Sequence, residues 1–91
     1  MKPLFELGQV VATLAAIELL EELGFAPSDL LNRHIAGDWG DVCDEDKLAN
    51  EDAIREGARI LSAYTLQGEE EVWVITEADR ASTCILLPSE Y

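Results

Sequence analysis

His34 and the aspartates that follow it, Asp38, Asp41, Asp44 and Asp46, are the residues of this 91-residue chain best suited by type to hold a metal ion. One imidazole and several hard carboxylate oxygens at short spacing fit a divalent cation. The spacing of Asp41, Asp44 and Asp46 departs from the DxDxDG…E order of a calcium loop. Capping, turn-making and solvation are therefore the preferred reading of these acids, with His34 packed at a helix end, and no metal or cofactor is expected. His34 is also the single histidine, so nucleophilic catalysis would have to pair it with Cys43, Cys84, Ser62 or Ser82. None of the four lies in a nucleophile-elbow or cysteine-hydrolase pattern, and no catalytic residue is assigned. A third grouping is TEADR, Thr76 to Arg80, in which Glu77 and Asp79 could act as acid and base while Arg80 holds an anion. A β-turn, with Asp79 bonded to nearby backbone and Arg80 paired locally, accounts for the same residues more simply.

The acids matter more as a group. Gly37 to Asp46 reads GDWGDVCDED, and from Asp38 to Glu56 the acids are Asp38, Asp41, Asp44, Glu45, Asp46, Glu51, Asp52 and Glu56, set against Lys47 and Arg55. Glu18, Glu21 and Glu22 add to them, as does the run Glu69, Glu70, Glu71. The whole chain has 19 acids, 6 lysines and arginines, and a formal charge of −13. That balance argues against binding nucleic-acid backbones, which takes Lys and Arg to displace phosphate counterions, and against docking on anionic membranes. It leaves two uses: keeping the chain in solution, or complementing a basic groove on another protein. Trp39 stands between two glycines and two aspartates. It is expected to fasten the loop to the core, with Gly37 and Gly40 supplying unusual backbone angles and the acids pointing outward.

The elements that must position these residues fit one domain, 1–91. A hydrophobic share of 48% is ordinary for a globular core. Cys43 and Cys84 are too few and too far apart for a zinc knuckle or a CxxC pair, and are expected as free, buried thiols of a cytoplasmic protein. No apolar run reaches the length of a membrane span, and Met1 to Leu20, with Glu6, Glu18 and one lysine, lacks a signal-cleavage pattern. FELGQVVAT reads as a short strand or extended lead-in. Thr13 caps a helix LAAIELLEEL that Gly24 stops, with Leu14, Ile17, Leu20 and Leu23 near helical spacing. A second, shorter helix runs from a Ser28 cap to Gly37. The acidic segment is expected to loop as far as Asp46, with helix from about Lys47, a further cap at Asn50 and a stop at Gly57. ARILSAYTLQ, EEVWVIT and STCILLP then change to strand period, with Trp73 in the core or under a helix. The fold class is α+β: N-terminal helices packed on a C-terminal three- to four-stranded antiparallel sheet.

RHIAGDWGDVCDED, Asn50, ILSAY at 60–64, VWVITEADRAST at 72–83 and the closing ILLPSEY together resemble a family of small "plasmid-related" proteins of plasmids, integrative elements and phages, some carrying the label type I restriction endonuclease subunit M. The likeness covers about Leu30 to Tyr91. A methyltransferase subunit needs a far larger cofactor-binding domain, and no GxGxxG-type loop is present, so the resemblance implies a setting on mobile DNA and not that activity. The first functional expectation is a non-enzymatic binding protein that imitates a phosphate track and occupies the basic surface of a host defence or DNA-handling protein, as anti-restriction and anti-CRISPR inhibitors do. The alternatives are a small enzyme or metal-dependent accessory factor built on His34, Asp38, Asp41 and Glu77–Arg80, and a structural adaptor or dimerisation module.

Overall fold

A four-residue extended run, Gln9–Ala12 (β1), ends at Thr13. The Thr13 hydroxyl accepts the Ala16 amide at 3.1 Å, so helix α1 (Leu14–Leu23) starts at the next residue. Gly24, in the left-handed region, stops it. The computed structural model describes residues 3–91 and, at Glu69, the backbone alone. Met1 and Lys2, and the Glu69 carboxylate counted in the acidic run, lie outside the described residues.

Helix α2 (Pro27–Ile35) begins one residue before the expected Ser28 cap. Pro27 takes the first helical position, where its missing N–H costs nothing. The carboxylate of Asp29 reaches back to the Ala26 amide at 3.1 Å, the bond a capping serine would otherwise organise from the other side. The third helix differs more from expectation. α3 runs unbroken from Asp44 to Glu56, starting before Lys47 and passing through Asn50 without interruption, and Gly57 ends it. Asp44, Glu45 and Asp46 occupy its first turn, where unpaired amides and the helix dipole favour negative charge. The last three residues of the segment Gly37 to Asp46 are therefore helix.

The strands β2 (Ile60–Thr65), β3 (Glu71–Thr76) and β4 (Ser82–Leu86) form the expected antiparallel meander. A short 3-10 turn, Gln67–Glu69, links the first two, and another, Pro88–Glu90, follows β4. β1 supplies the fourth strand and lies parallel to β4, giving a mixed sheet of order β1-β4-β3-β2. The long connection from β1 to β4, through three helices and two strands, allows the parallel pairing that a tight hairpin could not. The fold is α+β, as read from the pattern, with the helices ahead of the antiparallel meander. β1 leads the chain and makes the sheet mixed where an antiparallel one was expected.

All three helices serve one face. Ala16, Leu20 and Leu30 pack with Tyr64, Val72, Val74 and Ile85, while Trp39, Ala53 and Ile60 form a second cluster joined by Phe5, Val42 and Ile54. Among the described residues no α-helix lies on the opposite face. There Trp73 is half-buried and meets Tyr91 of the C-terminal turn edge-on, ring centroids 5.5 Å apart, so its cover is that turn and not a helix. Cys84 faces the same side and is half-buried, and Cys43, just before α3, is exposed. Both thiols are free, but neither is the buried core residue expected from its setting. Among the described residues no helix is long and apolar enough to cross a membrane.

Candidate functional site

The loop between α2 and α3 is held at both faces of Trp39. The indole is buried, stacks on Phe5 at 6.2 Å and meets His34 edge-on at 5.9 Å, while its N–H donates to Glu51 at 3.1 Å. Trp39 is thus the loop anchor the sequence suggests. The acids beside it do not simply point outward. Asp38 accepts the Arg33 guanidinium at 2.7 Å and the Gly40 amide at 3.1 Å, and the Arg33 bond chiefly holds its carboxyl below the usual range. Arg33 also lies over the Tyr64 ring at 4.4 Å, and the Tyr64 hydroxyl donates to the Asp38 carbonyl at 2.7 Å.

This loop seals the β2 edge of the sheet. The Ala63 amide donates to Trp39 O at 3.1 Å and its carbonyl accepts from the Asp41 amide at 2.6 Å. Gly40 pairs beside Ala63 as a one-residue parallel bridge, and a Cβ there would stand 2.0 Å from the Ala63 carbonyl oxygen, so only glycine fits. The Asp41 carboxylate takes the Thr65 amide at 2.9 Å, and Thr65, through its side chain first and its amide second, holds that carboxyl below the usual range. At the other end Asn50 acts as a false strand: its amide donates to Leu61 O at 2.7 Å and its carbonyl accepts Leu61 N–H at 3.1 Å. Leu61, Ala63 and Thr65 are the outward-facing residues of β2, and each is bonded. A free edge would template pairing with other chains.

The eight acids of the candidate partner surface therefore divide. Asp38, Asp41 and Glu51 have bonds within the fold. Asp44, Glu45, Asp46, Asp52 and Glu56 are exposed along α3, where only Asn50 and Ala53 are buried, and Asp52 pairs with Arg55. Leu48 is 67% exposed amid them. With four residues per step, Asp44, Leu48, Asp52 and Glu56 follow one line down the helix.

His34 does not join the aspartates. It is fully buried, with Nδ1 2.6 Å from Ser62 Oγ and Nε2 2.9 Å from Thr76 Oγ1. Thr76 Oγ1 lies 2.8 Å from Thr83 Oγ1, and the Thr83 hydroxyl donates to the Leu7 carbonyl at 2.8 Å. A carbonyl can only accept, which fixes every proton in the chain. Thr83 donates to Leu7, Thr76 donates to Thr83, His34 donates from Nε2 to Thr76, and Ser62 donates to Nδ1. Burial holds the imidazole neutral, its pKa lowered to about 4. Ser62 and His34 form the hydrogen bond of a nucleophile and base, but Ser62, His34, Thr76 and Thr83 are all fully buried and no carboxylate orients the ring. Among the described residues no three His, Cys, Asp or Glu side chains come together as a metal site. The signal for the relay lay in the pattern: Ser62, Thr76 and Thr83 are polar residues at core-face positions of three neighbouring strands, and one histidine in a helix above them has two ring nitrogens to satisfy.

TEADR is a turn. Asp79 accepts the Ala81 amide at 2.9 Å, and Glu77 meets Arg59 at 3.4 Å. Arg80, the non-glycine residue with positive φ (59°), donates to the carbonyls of Ala58, Glu77, Ala78 and Ala53, so it binds the exposed end of α3 to the β3–β4 turn. A shallow depression of about 350 Å³ lies beside it, lined by Glu77, Ala78, Asp79, Ala81 and Ser82. The guanidinium is committed to carbonyl oxygens, so no cation there is spare for an anionic ligand. No family model, curated protein or solved structure matches the chain.

Proposed function

We propose that this protein is a non-enzymatic binding protein that presents α3 to a basic, nucleic-acid-binding surface of another protein. The observation that carries the reading is that Asp44, Glu45, Asp46, Asp52 and Glu56 are all exposed on one helix, with Asp44, Leu48, Asp52 and Glu56 along a single line. Carboxylates at helical spacing offer negative charge at regular intervals, as a phosphate backbone does. Leu48, exposed between these charges, supplies an apolar contact for such a partner. The resemblance to mobile-element proteins supports a host defence or DNA-handling enzyme as the partner, inhibited by occupation of its groove. The burial of His34 and the internal bonds of Asp38, Asp41 and Arg80 weigh against the enzyme and metal-dependent alternatives.

The test is capture of partners from a host lysate at low and high salt, followed by binding kinetics with the recovered protein. Reversing Asp44→Lys, Glu45→Lys and Asp46→Lys is expected to cut the association rate while lowering the melt, because positive charge is unfavourable in the first turn of α3. Leu48→Ala is expected to speed dissociation with a melt close to wild type. DNA is expected to compete for the partner. Equal binding by the charge-reversed protein, or simultaneous binding with DNA, removes the mimicry reading.

A further inference from the structure

The two edges of the sheet are built differently. Along β2 the outward backbone groups of Leu61, Ala63 and Thr65 are taken up by Asn50, the Trp39–Asp41 loop and the Asp41 carboxylate. Among the described residues, β1, at the other edge, has β4 on one side and no strand on the other. The Gln9 amide donates to Ala81 O at 2.9 Å and the Thr13 amide to Ile85 O at 3.0 Å. The two-residue period of a strand then turns the N–H and C=O groups of Val10 and Ala12 away from β4. Among the described residues, no contact outside the β1–β4 ladder takes up those two amides. Val10 and Val11 are 42% and 44% exposed, one on each face of the sheet, and Leu14 beyond them is 73% exposed. No lysine, proline or bulge interrupts β1, though these are the usual devices that blunt an edge.

We propose that β1 accepts an extended segment of a partner protein as a fifth strand, and that this segment carries apolar β-branched residues in its middle and Lys or Arg at its ends. Backbone bonds to Val10 and Ala12 supply the pairing, and alternate side chains of the guest lie beside Val10 and Val11 on the two faces. The charge preference follows from the flanks. Exposed Glu6 precedes the strand, and the Glu90 carboxylate, bonded to the Thr13 hydroxyl at 2.7 Å, stands where the strand ends. A second copy of the chain is the wrong guest. Each copy carries −13, so two copies repel where a basic-ended segment is attracted. The β1 site is separate from the α3 surface and does not rest on it.

The experiment is amide hydrogen exchange on the whole protein at about 0.15 M salt, where charges beyond ~8 Å are screened. The probes are a short synthetic peptide with alternating valine and threonine between lysine ends, and the same peptide with glutamate ends. The lysine-ended peptide is expected to slow exchange at Val10 and Ala12 by about tenfold or more, and the glutamate-ended one to leave it unchanged. Val10→Pro removes only an outward-facing donor, a substitution edge strands tolerate, and is expected to abolish binding while the Val11 amide stays protected. Glu6→Lys is expected to weaken binding. The triple reversal on α3 is expected to leave the exchange pattern at Val10 and Ala12 in place, so failure here and failure of the α3 reading are told apart. If Val10→Pro does not fold, the wild-type exchange map with the two peptides decides alone. The proposal is overturned if Val10 and Ala12 are unaffected, if the peptide maps to α3, if both peptides protect equally, or if the free protein forms a concentration-dependent dimer through β1.

Discussion

The proton chain through His34 ties together four parts of the molecule that share no local sequence: α2, β2, β3–β4 and the lead-in at Leu7. Burial makes a protonated imidazole costly there, and an Nδ1–H would further require the Ser62 hydroxyl to turn and accept. The unfolded chain takes up that proton below about pH 6.5, whereas the folded chain refuses it until about pH 4. Stability from this residue is therefore complete above pH 6.5, declines as pH falls between the two values, and is gone below the lower one, a loss of about 3 kcal/mol. Denaturant titrations from pH 7 to pH 4 are expected to show that slope. It should be absent in a folded His34→Gln variant, and a pH-independent wild type in this range would contradict the assignment. Asp38, Asp41 and Glu90, whose carboxyls are held low by their hydrogen bonds, act in the same direction at lower pH. Trp39→Ala is expected to cost roughly 3–5 kcal/mol in the same assay, the range for removing a large buried aromatic. Trp39 was legible because a tryptophan between glycines has few other uses. The relay was not, since its hydroxyls are scattered over three strands whose register had yet to be known.

Among the elements, the caps that act within a few residues were readable, and the bonds that act across the fold were not. Thr13, Gly24 and Gly57 do what their types suggest. Ser28 lost its role to Pro27 and Asp29, which compete for the same turn. Asn50 is the instructive case. As a residue type it suits a cap, yet its side chain faces β2 and copies the hydrogen bonds of a strand. Nothing local distinguishes these uses, because the partner is the backbone of Leu61. Asn50→Ala is expected to leave a half-buried amide and carbonyl unpaired, to cost about 1–3 kcal/mol, and to speed exchange at Leu61 while Ala63 stays protected by the loop. A helix capped at Asn50 would fray instead at its N-terminal half, and circular dichroism separates the outcomes. The parallel placement of β1 was unreadable for the same reason, since strand period reports a face and not a neighbour.

For the molecule as a whole, charge acts on folding and on recognition with opposite signs. A formal charge of −13 repels itself more in the compact state than in the expanded one. Raising ionic strength from about 0.01 M to about 0.15 M shortens the screening length from ~30 Å to ~8 Å, so the melting temperature is expected to rise. Binding of α3 to a basic groove is expected to weaken over the same interval. A melt insensitive to salt would mean that local pairs such as Arg33–Asp38 and Arg59–Glu77 already compensate the field. The excess of acids was plain from composition, but their division into three that build the loop and five that lie on α3 depended on the fold.

The pairing of β1 with β4 also sets an order of events. Leu7 and Thr83 meet across 76 residues of chain, whereas β2, β3 and β4 close through short turns. Closing the longer loop costs more chain entropy and is repaid only once β4 is in place. The meander should therefore form the folding nucleus, with β1 arriving after the transition state. Conservative substitutions at Val11 are expected to speed unfolding and leave the folding rate nearly unchanged, whereas those at Val74 are expected to slow folding. The strand that arrives last is also the one with an open side, so a brief detachment of β1 would expose the edge of β4 without dismantling the nucleus.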